Sequence, residues 1–475
     1  MHRTDLSAKL TFSLFVFFSL GLLIGKVFGH FLFFLFLSAV FLILSFKYSR
    51  NKPVLSDLFI IFLFICLGSC SISSFNKKNI DTFLGRAVSV KFRVISLDQE
   101  NEGRRTLKVQ LLKADNQPFN FVVNAIDYTK SLQYMCLYET KAKISRHYFN
   151  RHEFYNLWIK KDSNIQLIPS AKIYEIRKKT LEYFLSVLKQ NCSDQAYRFI
   201  SAAFLGRREL IRHERDHFSR AGAAHLLAIS GLHIGLCSML FFFCLRFFHI
   251  PFKASLIMSL LFIYSYTFLT GSSGPTVRAL IMYSSFVMGF LLRRKIDVLN
   301  SLGLAGLIIL VLDPSAIFSI GFQLSFVAVF AIIAGFRHFK ISKPSNSLIC
   351  YLKYTFFSSF FAWFLLLPLI SFYFSKINLL SPLANLILIP FFTVILAVTF
   401  LLLFFAPLTF VVQSLGSLLS FLTSYFFEIV RNLANLKFAS ISYSLTAIEL
   451  CLYYLFSAMI FISLARLRQG LLLKG

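Results

Sequence analysis

The sequence predicts a polytopic α-helical membrane protein of about 11–12 spans with an inserted extracytoplasmic β-barrel domain. Three observations predict this fold. The 475 residues are 57% hydrophobic, with 60 phenylalanines and a mean hydropathy of +0.70, whereas soluble domains are about 45–50% apolar. Several uncharged runs reach the roughly 20 residues that a membrane-spanning helix needs. Residues 77–170 instead alternate between polar and apolar side chains, as β-strands do.

The first 76 residues (1–76) predict N-terminal transmembrane helices. Apolar runs cover Leu10–Ile24, Phe31–Phe46 and Leu58–Ile72. The basic loop 47–52 separates the second run from the third, and Lys and Arg concentrate on the cytoplasmic side of a membrane. We therefore expect the N-terminus in the cytoplasm and residues 77–220 outside it. Glycines at four-residue spacing allow close helix packing, which is expected of Gly21, Gly25 and Gly29.

Residues 77–170 predict a small β-barrel domain. The candidate strands, separated by turn residues, are Ala87–Leu97, Arg105–Lys113, Phe119–Ala125, Tyr134–Ile144 and Ile165–Ile168. Five strands in about 90 residues suit a closed barrel of the OB type. A generic extracytoplasmic β-domain is the alternative that the pattern leaves open.

This domain and the first residues after it are strongly basic. From Lys77 to Lys179 the chain has 20 Lys and Arg against 10 Asp and Glu, a local net charge of +10. Basic strands interleaved with aromatic rings suit single-stranded nucleic acid, because cations follow the phosphates and rings stack on bases. The candidate DNA-binding residues are Lys91, Arg93, Arg104, Arg105, Lys108, Tyr138, Lys141, Lys143 and Arg146. A surface for anionic lipid headgroups is the competing interpretation.

Helical periodicity returns after the barrel. Residues 171–220 predict interfacial amphipathic helices, one with an apolar stripe from Leu181 to Leu188 and one around Ala196–Leu205. Residues 221–466 form a second hydrophobic block, and 467–475 are expected as a cytoplasmic tail. The predicted spans of the block lie near 223–248, 254–270, 275–292, 298–312, 316–335, 351–373, 379–405, 408–433 and 446–464. The run near 298–312 is short and could be a half-span, which leaves the total at eleven or twelve.

The stretch His225–Leu236 combines small and polar residues. In one continuous helix, Gly231 and Gly235 would share a narrow stripe with two alanines, which predicts close packing on a neighbouring helix. Ser230 and His233 would lie on the opposite side, with His225 between the two faces. Polar groups at membrane depth usually face a bundle interior or a water-filled cavity.

Other polar groups interrupt the second hydrophobic block. They are Arg278, Asp313, Gln323, Ser325 and Asn385. Helix capping or interhelical hydrogen bonding explains each of them without any function. Arg278 is the least easily dismissed, because an arginine within a span costs roughly 3 kcal/mol on insertion scales.

These residues carry a resemblance. The run from Leu205-Gly206 through Phe218 and Gly222 to His225-Leu-Leu-Ala-Ile-Ser-Gly-Leu-His233 resembles the signature of the ComEC family, the DNA-internalisation proteins of bacterial competence. Further family motifs are similar to segments spread over roughly residues 20–465: Tyr148–Asn164, Thr270–Met282, Asp313–Ser325 and Asn385–Pro390.

The resemblance implies an inner-membrane channel that takes up single-stranded DNA during natural transformation, with an OB-like domain outside. It implies contact with membrane lipid, a DNA-delivery protein outside, a separate nuclease and a cytoplasmic ATPase; a homo-oligomer is left open. No cofactor, metal or catalytic residue is expected. Many family members continue into a metallo-β-lactamase-like domain, whereas this chain ends at Gly475, so we expect a short form.

Two alternatives stay open. One is an intramembrane hydrolase that uses Ser230 with His225 or His233, although Ala228 stands where such enzymes carry a glycine. The other is a transporter of small solutes or lipids. A hydrolase needs Ser230 at hydrogen-bond distance from a histidine in a closed pocket, whereas a channel needs a continuous polar path.

Overall fold

The computed structural model describes most of the chain from residue 83 to residue 472 and part of the N-terminal region. The described N-terminal residues are 10–28, 37–38, 40, 60, 62–69 and 71. After residue 83 the gaps are 102–103, 116, 130–131, 133–135, 150–151, 169–171, 212–213, 272–273, 294–296, 340–346 and 437–438. Nearly all of the predicted span Phe31–Phe46, part of Leu58–Ile72 and the loop 47–52 lie outside the described residues.

The N-terminal helix α1 spans Leu10–Phe28. It packs against residues 62–69, which are also helical. A Cβ added to Gly21 would overlap the backbone of Ile65, and the Ser69 hydroxyl donates a 2.7 Å hydrogen bond to the Gly21 carbonyl across the same contact. Close packing at Gly21 is therefore confirmed. The surroundings of Gly25 and Gly29 lie outside the described part of the chain.

Residues 87–168 form a β-barrel. Its strands are β1 (Ala87–Asn101), β2 (Arg104–Ala114), β3 (Gln117–Asp127), β4 (Leu137–Phe149), β5 (His152–Ile159) and β6 (Gln166–Ile168). The hydrogen-bonded order is β1-β2-β3-β5-β4, and β4 pairs back with β1, so five strands close on themselves. Only the β3–β5 pairing is parallel among the described strands.

Alternating side chains fill the barrel. In β1, Val90, Phe92 and Val94 are completely buried, whereas Lys91 and Arg93 between them are only partly buried. Successive residues of a strand point to opposite faces of a sheet, so the cations lie on the outer wall. The first four predicted strands are confirmed to within a few residues.

The fifth barrel strand was not predicted. The predicted strand Ile165–Ile168 corresponds to β6, which pairs with β4 beside the closed barrel. The strand that closes the barrel is β5, which inserts between β3 and β4. Its apolar side chains are adjacent rather than alternating: Leu157 and Ile159 are buried inside, and Trp158 between them stacks on Tyr128 outside. The period-two signal is therefore lost.

A layer of three helices connects the barrel to the membrane domain. It contains α2 (Lys172–Asn191), α3 (Asp194–Ala203) and α4 (Arg215–Arg220). The helices predicted at Leu181–Leu188 and Ala196–Leu205 are confirmed. Phe199 of α3 is completely buried, and its ring lies 5.3–6.0 Å from the rings of Phe218, Phe392, Phe426 and Phe427.

Nine helices follow among the described residues after 230. They are α5 (Gly231–Phe247), α6 (Phe252–Thr270), α7 (Gly274–Leu291), α8 (Val298–Leu312), α9 (Ile320–His338), α10 (Ser347–Phe374), α11 (Ser381–Phe404), α12 (Thr409–Ala434) and α13 (Ala447–Leu472). In the described part of the chain five helices, α6 and α9–α12, are long and apolar enough to cross a membrane, and shorter apolar helices accompany them. The chain is thus a polytopic helical membrane protein. The total of 11–12 spans stays a prediction.

Proline interrupts the hydrogen bonding of α10. Pro368 lies inside this helix, and a proline cannot donate to the carbonyl four residues earlier. That carbonyl belongs to Phe364, and it accepts a 2.9 Å hydrogen bond from the Tyr453 hydroxyl of α13. The Tyr454 hydroxyl donates a second 2.9 Å bond to the Leu365 carbonyl. A neighbouring helix thus supplies the donor that the proline lacks.

Candidate functional site

The chain breaks its helix just before Ser230. Ala224–Leu227 form a 3₁₀ turn, Ala228 and Ser230 are extended, and α5 begins only at Gly231. The stretch His225–Leu236 is therefore not one helix, and this expectation was wrong. Ser230 occupies the N-cap position of α5, where a residue with a short polar side chain is favoured.

The predicted glycine stripe is also wrong. A Cβ added to Gly235 would meet nothing within 4 Å, and one added to Gly231 would make only ordinary contacts, 3.5 Å from Nη2 of Arg278 and 3.7 Å from Cβ of Ala279. The glycines that bring backbones together are elsewhere. A Cβ on Gly303 would overlap the α1 backbone at Phe12, and one on Gly416 of α12 would overlap the backbone at the end of α2.

We expect Gly416→Leu to prevent correct assembly. Its Cβ would overlap the carbonyl oxygen of Asn191, and backbone cannot move aside as a flexible side chain can. The amount of folded, monodisperse protein in detergent should fall severely. Gly235→Leu is the matched control, because its Cβ has open space, and it should purify like the wild type. Equal yields for the two variants would show that the contact at Gly416 is not required.

Ser230 and His233 form a hydrogen-bonded pair. The Ser230 N–H donates to Nδ1 of His233 at 3.1 Å, and the Ser230 hydroxyl lies 3.0 Å from the same nitrogen. A backbone N–H can only donate, so Nδ1 is the acceptor of this bond. His233 is completely buried, with its ring at 5.2 Å from that of Phe392. The pair therefore stabilises the start of α5.

Arg278 lies next to this turn. It is 6% exposed, and its Nη1 donates a 3.2 Å hydrogen bond to the Ser325 carbonyl of α9. Its guanidinium carbon lies 6.0 Å from the ring centroid of Phe326. The start of α5, the first turns of α7 and the Ser325 segment of α9 thus meet around one buried cation. We call Ser230, Gly231, His233, Arg278 and Ser325 the Arg278 cluster.

The remaining predicted site residues do not join this cluster through hydrogen bonds seen in the described chain. His225 lies on the 3₁₀ turn with an exposed side chain. Asp313 caps the turn Pro314–Phe318 by accepting from the Ser315 N–H at 3.0 Å. Gln323 donates to the Ile317 carbonyl and accepts a 2.6 Å bond from the Tyr373 hydroxyl. Asn385 is buried in α11.

A set of contacts at the α10–α11 connection was missed from the sequence. The Asn378 amide donates to the Ser219 carbonyl at 3.0 Å, and the Ser381 hydroxyl donates to the Gly222 carbonyl at 3.2 Å. Gly222 has φ +74° and leaves no room for a Cβ beside Ser381, which explains a glycine there. These contacts fix the chain before the Arg278 cluster to the membrane domain.

An exposed ion pair supports the same connection. Nζ of Lys376 lies 3.3 Å from Oδ1 of Asp216 in α4, and Nε of Arg220 lies 2.8 Å from Oδ2 of the same carboxylate. Slight burial raises the pKa of Asp216, but the hydrogen bond from Lys376 and the charges of Arg220 and Lys376 outweigh it, so that the pKa is lowered. The carboxylate is therefore ionised at neutral pH. Since about half of the Asp216 side chain is exposed, the pair adds little stability.

The barrel wall presents part of the predicted cationic surface. Lys141 and Lys143 are exposed on β4, and Lys91 lies on the neighbouring strand β1. Tyr138 is a correction: it is buried inside the barrel with its ring 6.0 Å from that of Phe92, so it cannot stack on a base. The side chains of Arg104 and Lys108 lie outside what the structure describes.

The other predicted arginines have intramolecular contacts. Arg93 lies over the ring of Tyr174 in α2 at 3.6 Å, and Arg146 lies 5.9 Å from the ring of Tyr155. Arg105 is 3.5 Å from the Leu132 carbonyl. Arg93 thus joins the barrel to the helical layer instead of offering a free cation.

A stacked aromatic pair lies beside the exposed lysines. The rings of Tyr128 and Trp158 are 6.3 Å apart and inclined by 19°. Trp158 is the cross-strand neighbour of Lys143, and its indole N–H donates a 2.6 Å bond to the Ser145 hydroxyl. Only the abundance of aromatic residues indicated such a pair, because β5 was not predicted.

In the described chain, no three His, Cys, Asp or Glu side chains form a group that could hold a metal ion.

Buried polar groups in a helical membrane domain, joined to a basic β-barrel, define a multi-pass membrane protein with a β-barrel domain. The chain belongs to the Competence protein family, whose model matches residues 204–468. The match includes the whole Arg278 cluster.

Three curated relatives are 28% identical to the chain. ComE operon protein 3 of Bacillus subtilis (strain 168) matches over 224 residues, 47% of this chain and 27% of that protein. Recombination protein 2 of Haemophilus influenzae (strain ATCC 51907 / DSM 11121 / KW20 / Rd) matches over 254 residues, which are 50% of this chain and 30% of that protein. An uncharacterized protein of Aquifex aeolicus (strain VF5) matches over 205 residues, which are 41% of this chain and 48% of that protein. The chain thus matches less than half the length of each relative, and no solved structure matches it.

Proposed function

We propose that this chain forms a channel that passes single-stranded DNA inward across the bacterial inner membrane during natural transformation. The observation that carries the proposal is a barrel wall with exposed lysines beside a stacked aromatic pair, attached to a helical membrane domain. Membership of the Competence protein family and similarity to ComE operon protein 3 and Recombination protein 2 support it.

We infer that the barrel is of the OB type. Its five strands close in the order β1-β2-β3-β5-β4-β1, and β5 enters out of sequence between β3 and β4. OB barrels have five strands in a Greek-key arrangement, and many bind oligonucleotides. Here the cationic wall is formed by β1, β4 and β5.

The wall offers both groups that single strands need. Lys141 and Lys143 are two residues apart on β4 and point outward together. Trp158 faces Lys143 from β5, and its ring is held in place by Tyr128 and Ser145. Aromatic rings stack on bases without regard to sequence, while lysines neutralise the phosphates between them. A strand lying along this wall would meet both.

The barrel contacts the helical layer, which in turn contacts one end of α6. Arg93 of β1 packs on Tyr174 of α2, and Arg177 one turn later donates a 3.1 Å bond to the Leu269 carbonyl at the end of α6. We propose that this end of α6 is the outer one and that residues 77–220 lie outside the cytoplasm. A channel provides a path but no energy for transport, so we propose a cytoplasmic ATPase as a partner. We also propose a DNA-delivery protein outside and a separate nuclease.

We expect Trp158→Ala to weaken binding of a short oligothymidylate to the full chain in nanodiscs about tenfold, since one base stack is worth about 1–3 kcal/mol. Lys143→Ala should weaken binding less and reduce the slope of log Kd against log salt by about one. Lys189→Ala, an exposed lysine at the far end of α2, is the control. Fluorescence anisotropy over a salt series gives all three values.

Two results would contradict this DNA interface. Binding that does not depend on salt would show that the lysines make no phosphate contacts. Binding that requires phosphatidylglycerol in the nanodisc, with no difference between Trp158→Ala and wild type, would assign the basic wall to lipid headgroups.

A second candidate function, an intramembrane hydrolase, is favoured by one observation. The Ser230 hydroxyl lies 3.0 Å from Nδ1 of His233, which is the reach that a serine nucleophile and its base require. The same nitrogen already accepts the Ser230 N–H, as a helix cap would. The substitutions of His233 described in the Discussion separate these two roles.

A further inference from the structure

Two positively charged features face each other inside the membrane domain. Helix α5 begins at Gly231, and a helix N-terminus carries about half a positive charge together with N–H groups that lack acceptors within the helix. Nη2 of Arg278 lies 3.5 Å from the position that a Cβ of Gly231 would take. The guanidinium thus lies beside the first turn of α5, and an anion bound there would be attracted by both positive charges.

Arg278 has no counter-charge in the described part of the chain. None of the ion pairs there includes it. Its Nη1 uses one of the five guanidinium N–H groups on the Ser325 carbonyl, and its buried Nε has no hydrogen-bond partner among the described residues. A buried charge normally has a partner, because removing it from water is costly.

We propose that Arg278 and the N–H groups of Gly231 and Leu232, the first two residues of α5, form a phosphate-binding site. Resting on the function proposed above, the ligand is a phosphodiester of the translocated strand. A guanidinium donates in parallel to two phosphate oxygens, and helix N-termini bind phosphate through their free N–H groups. Both kinds of donor meet at Gly231, and the missing side chain there leaves the space for a phosphate oxygen. The site would hold one phosphate at a time on the path of the strand.

The same chemistry fits a phosphate from another source. A lipid phosphate headgroup carries the same charge and oxygens as a DNA phosphodiester. The test therefore needs a probe of the site itself, inorganic phosphate, and separate arms for DNA and for lipid.

Gly231→Ala tests the site without removing Arg278. Its methyl group would make contacts of 3.5 and 3.7 Å with Arg278 and Ala279, which packing tolerates, and it would fill the space between the guanidinium and the helix N-terminus. Gly235→Ala, one turn later with open space around it, is the matched control. Arg278→Lys is the second variant, since it keeps the charge but loses the two-pronged donor geometry.

The first measurement is the Tm of the full chain in phosphatidylcholine nanodiscs, with inorganic phosphate replacing chloride at constant ionic strength. Phosphate should raise the Tm of the wild type and of Gly235→Ala, raise it less for Arg278→Lys, and leave Gly231→Ala unchanged. The second is uptake of labelled DNA by cells that carry each variant. Uptake of labelled DNA should be about tenfold lower for Gly231→Ala than for the wild type, which is the effect of losing one charge-assisted hydrogen bond.

The outcomes separate this site from the proposed function. Equal phosphate shifts in Gly231→Ala and Gly235→Ala, or no shift in the wild type, would overturn the site even if DNA uptake is normal. A wild type that takes up no DNA but keeps the phosphate shift would overturn the DNA ligand and leave the anion site. Loss of that shift in phosphatidylglycerol nanodiscs would then identify a lipid headgroup as the occupant.

Discussion

Replacing Phe199 with alanine is expected to detach the helical layer from the membrane domain. The ring is completely buried and lies within 6.0 Å of four other aromatic rings, one on α4 and three on α11 and α12. Removing a buried phenylalanine ring costs about 3–5 kcal/mol, because both the transfer energy and the contacts around the cavity are lost. Total stabilities are about 5–15 kcal/mol, so this loss is large.

Thermal unfolding of the purified protein in detergent checks this expectation. Phe199→Ala should lower the Tm strongly, and Phe199→Leu, which refills much of the cavity, should recover part of the loss. Tyr183→Ala is the control, since Tyr183 is a large and exposed aromatic residue on α2. A Tm for Phe199→Ala within error of that control would show that this cluster does not hold the layer in place.

The second large effect is expected at His233. In His233→Ala the Ser230 N–H loses its acceptor and a cavity opens beside Phe392. An unpaired backbone donor and a cavity together cost about 3 kcal/mol. DNA uptake should fall with the level of folded protein in the membrane.

His233→Gln separates a structural cap from a catalytic base. A glutamine three residues after the N-cap can accept the N-cap N–H, but an amide cannot take up a proton at neutral pH. If His233 stabilises α5, the glutamine variant should recover most of the folded protein and most of the uptake, and Ser230→Ala should lose uptake only in part. If His233→Gln and Ser230→Ala both keep normal protein levels but take up no DNA, the hydrolase is supported instead.

The sequence predicted the barrel as far as its strands alternate. Val90, Phe92 and Val94 lie at every second position, and this regularity is enough to locate β1. Where apolar side chains occupy both faces, as at Trp158 on β5, the alternation disappears and so does the prediction. Strand order also depends on contacts distant in sequence: β5 pairs with both β3 and β4, and no local pattern encodes that choice.

The sequence predicted which residues form the site, but it did not predict how they are arranged. Ser230, His233 and Arg278 are polar groups at membrane depth, and that alone selects them. The break before α5 was missed because Ala228 and Ile229 are apolar and residues 223–229 contain no proline or glycine. Glycine spacing shows that a helix can be approached, but the approach itself depends on which helix is beside it. Gly416 has such a neighbour and Gly235 does not.

The tyrosine bonds to the interrupted helix α10 set a condition on membrane insertion. The Phe364 carbonyl has no donor within α10, so until α13 packs against α10 it lacks the bond from Tyr453. Each unsatisfied carbonyl in hydrocarbon costs several kcal/mol. Helix α10 therefore reaches its lowest-energy form only after a segment about 90 residues downstream arrives, a separation given by the hydrogen bonds themselves. Helix α13 thus completes the hydrogen bonding of a helix that lies well before it in the chain.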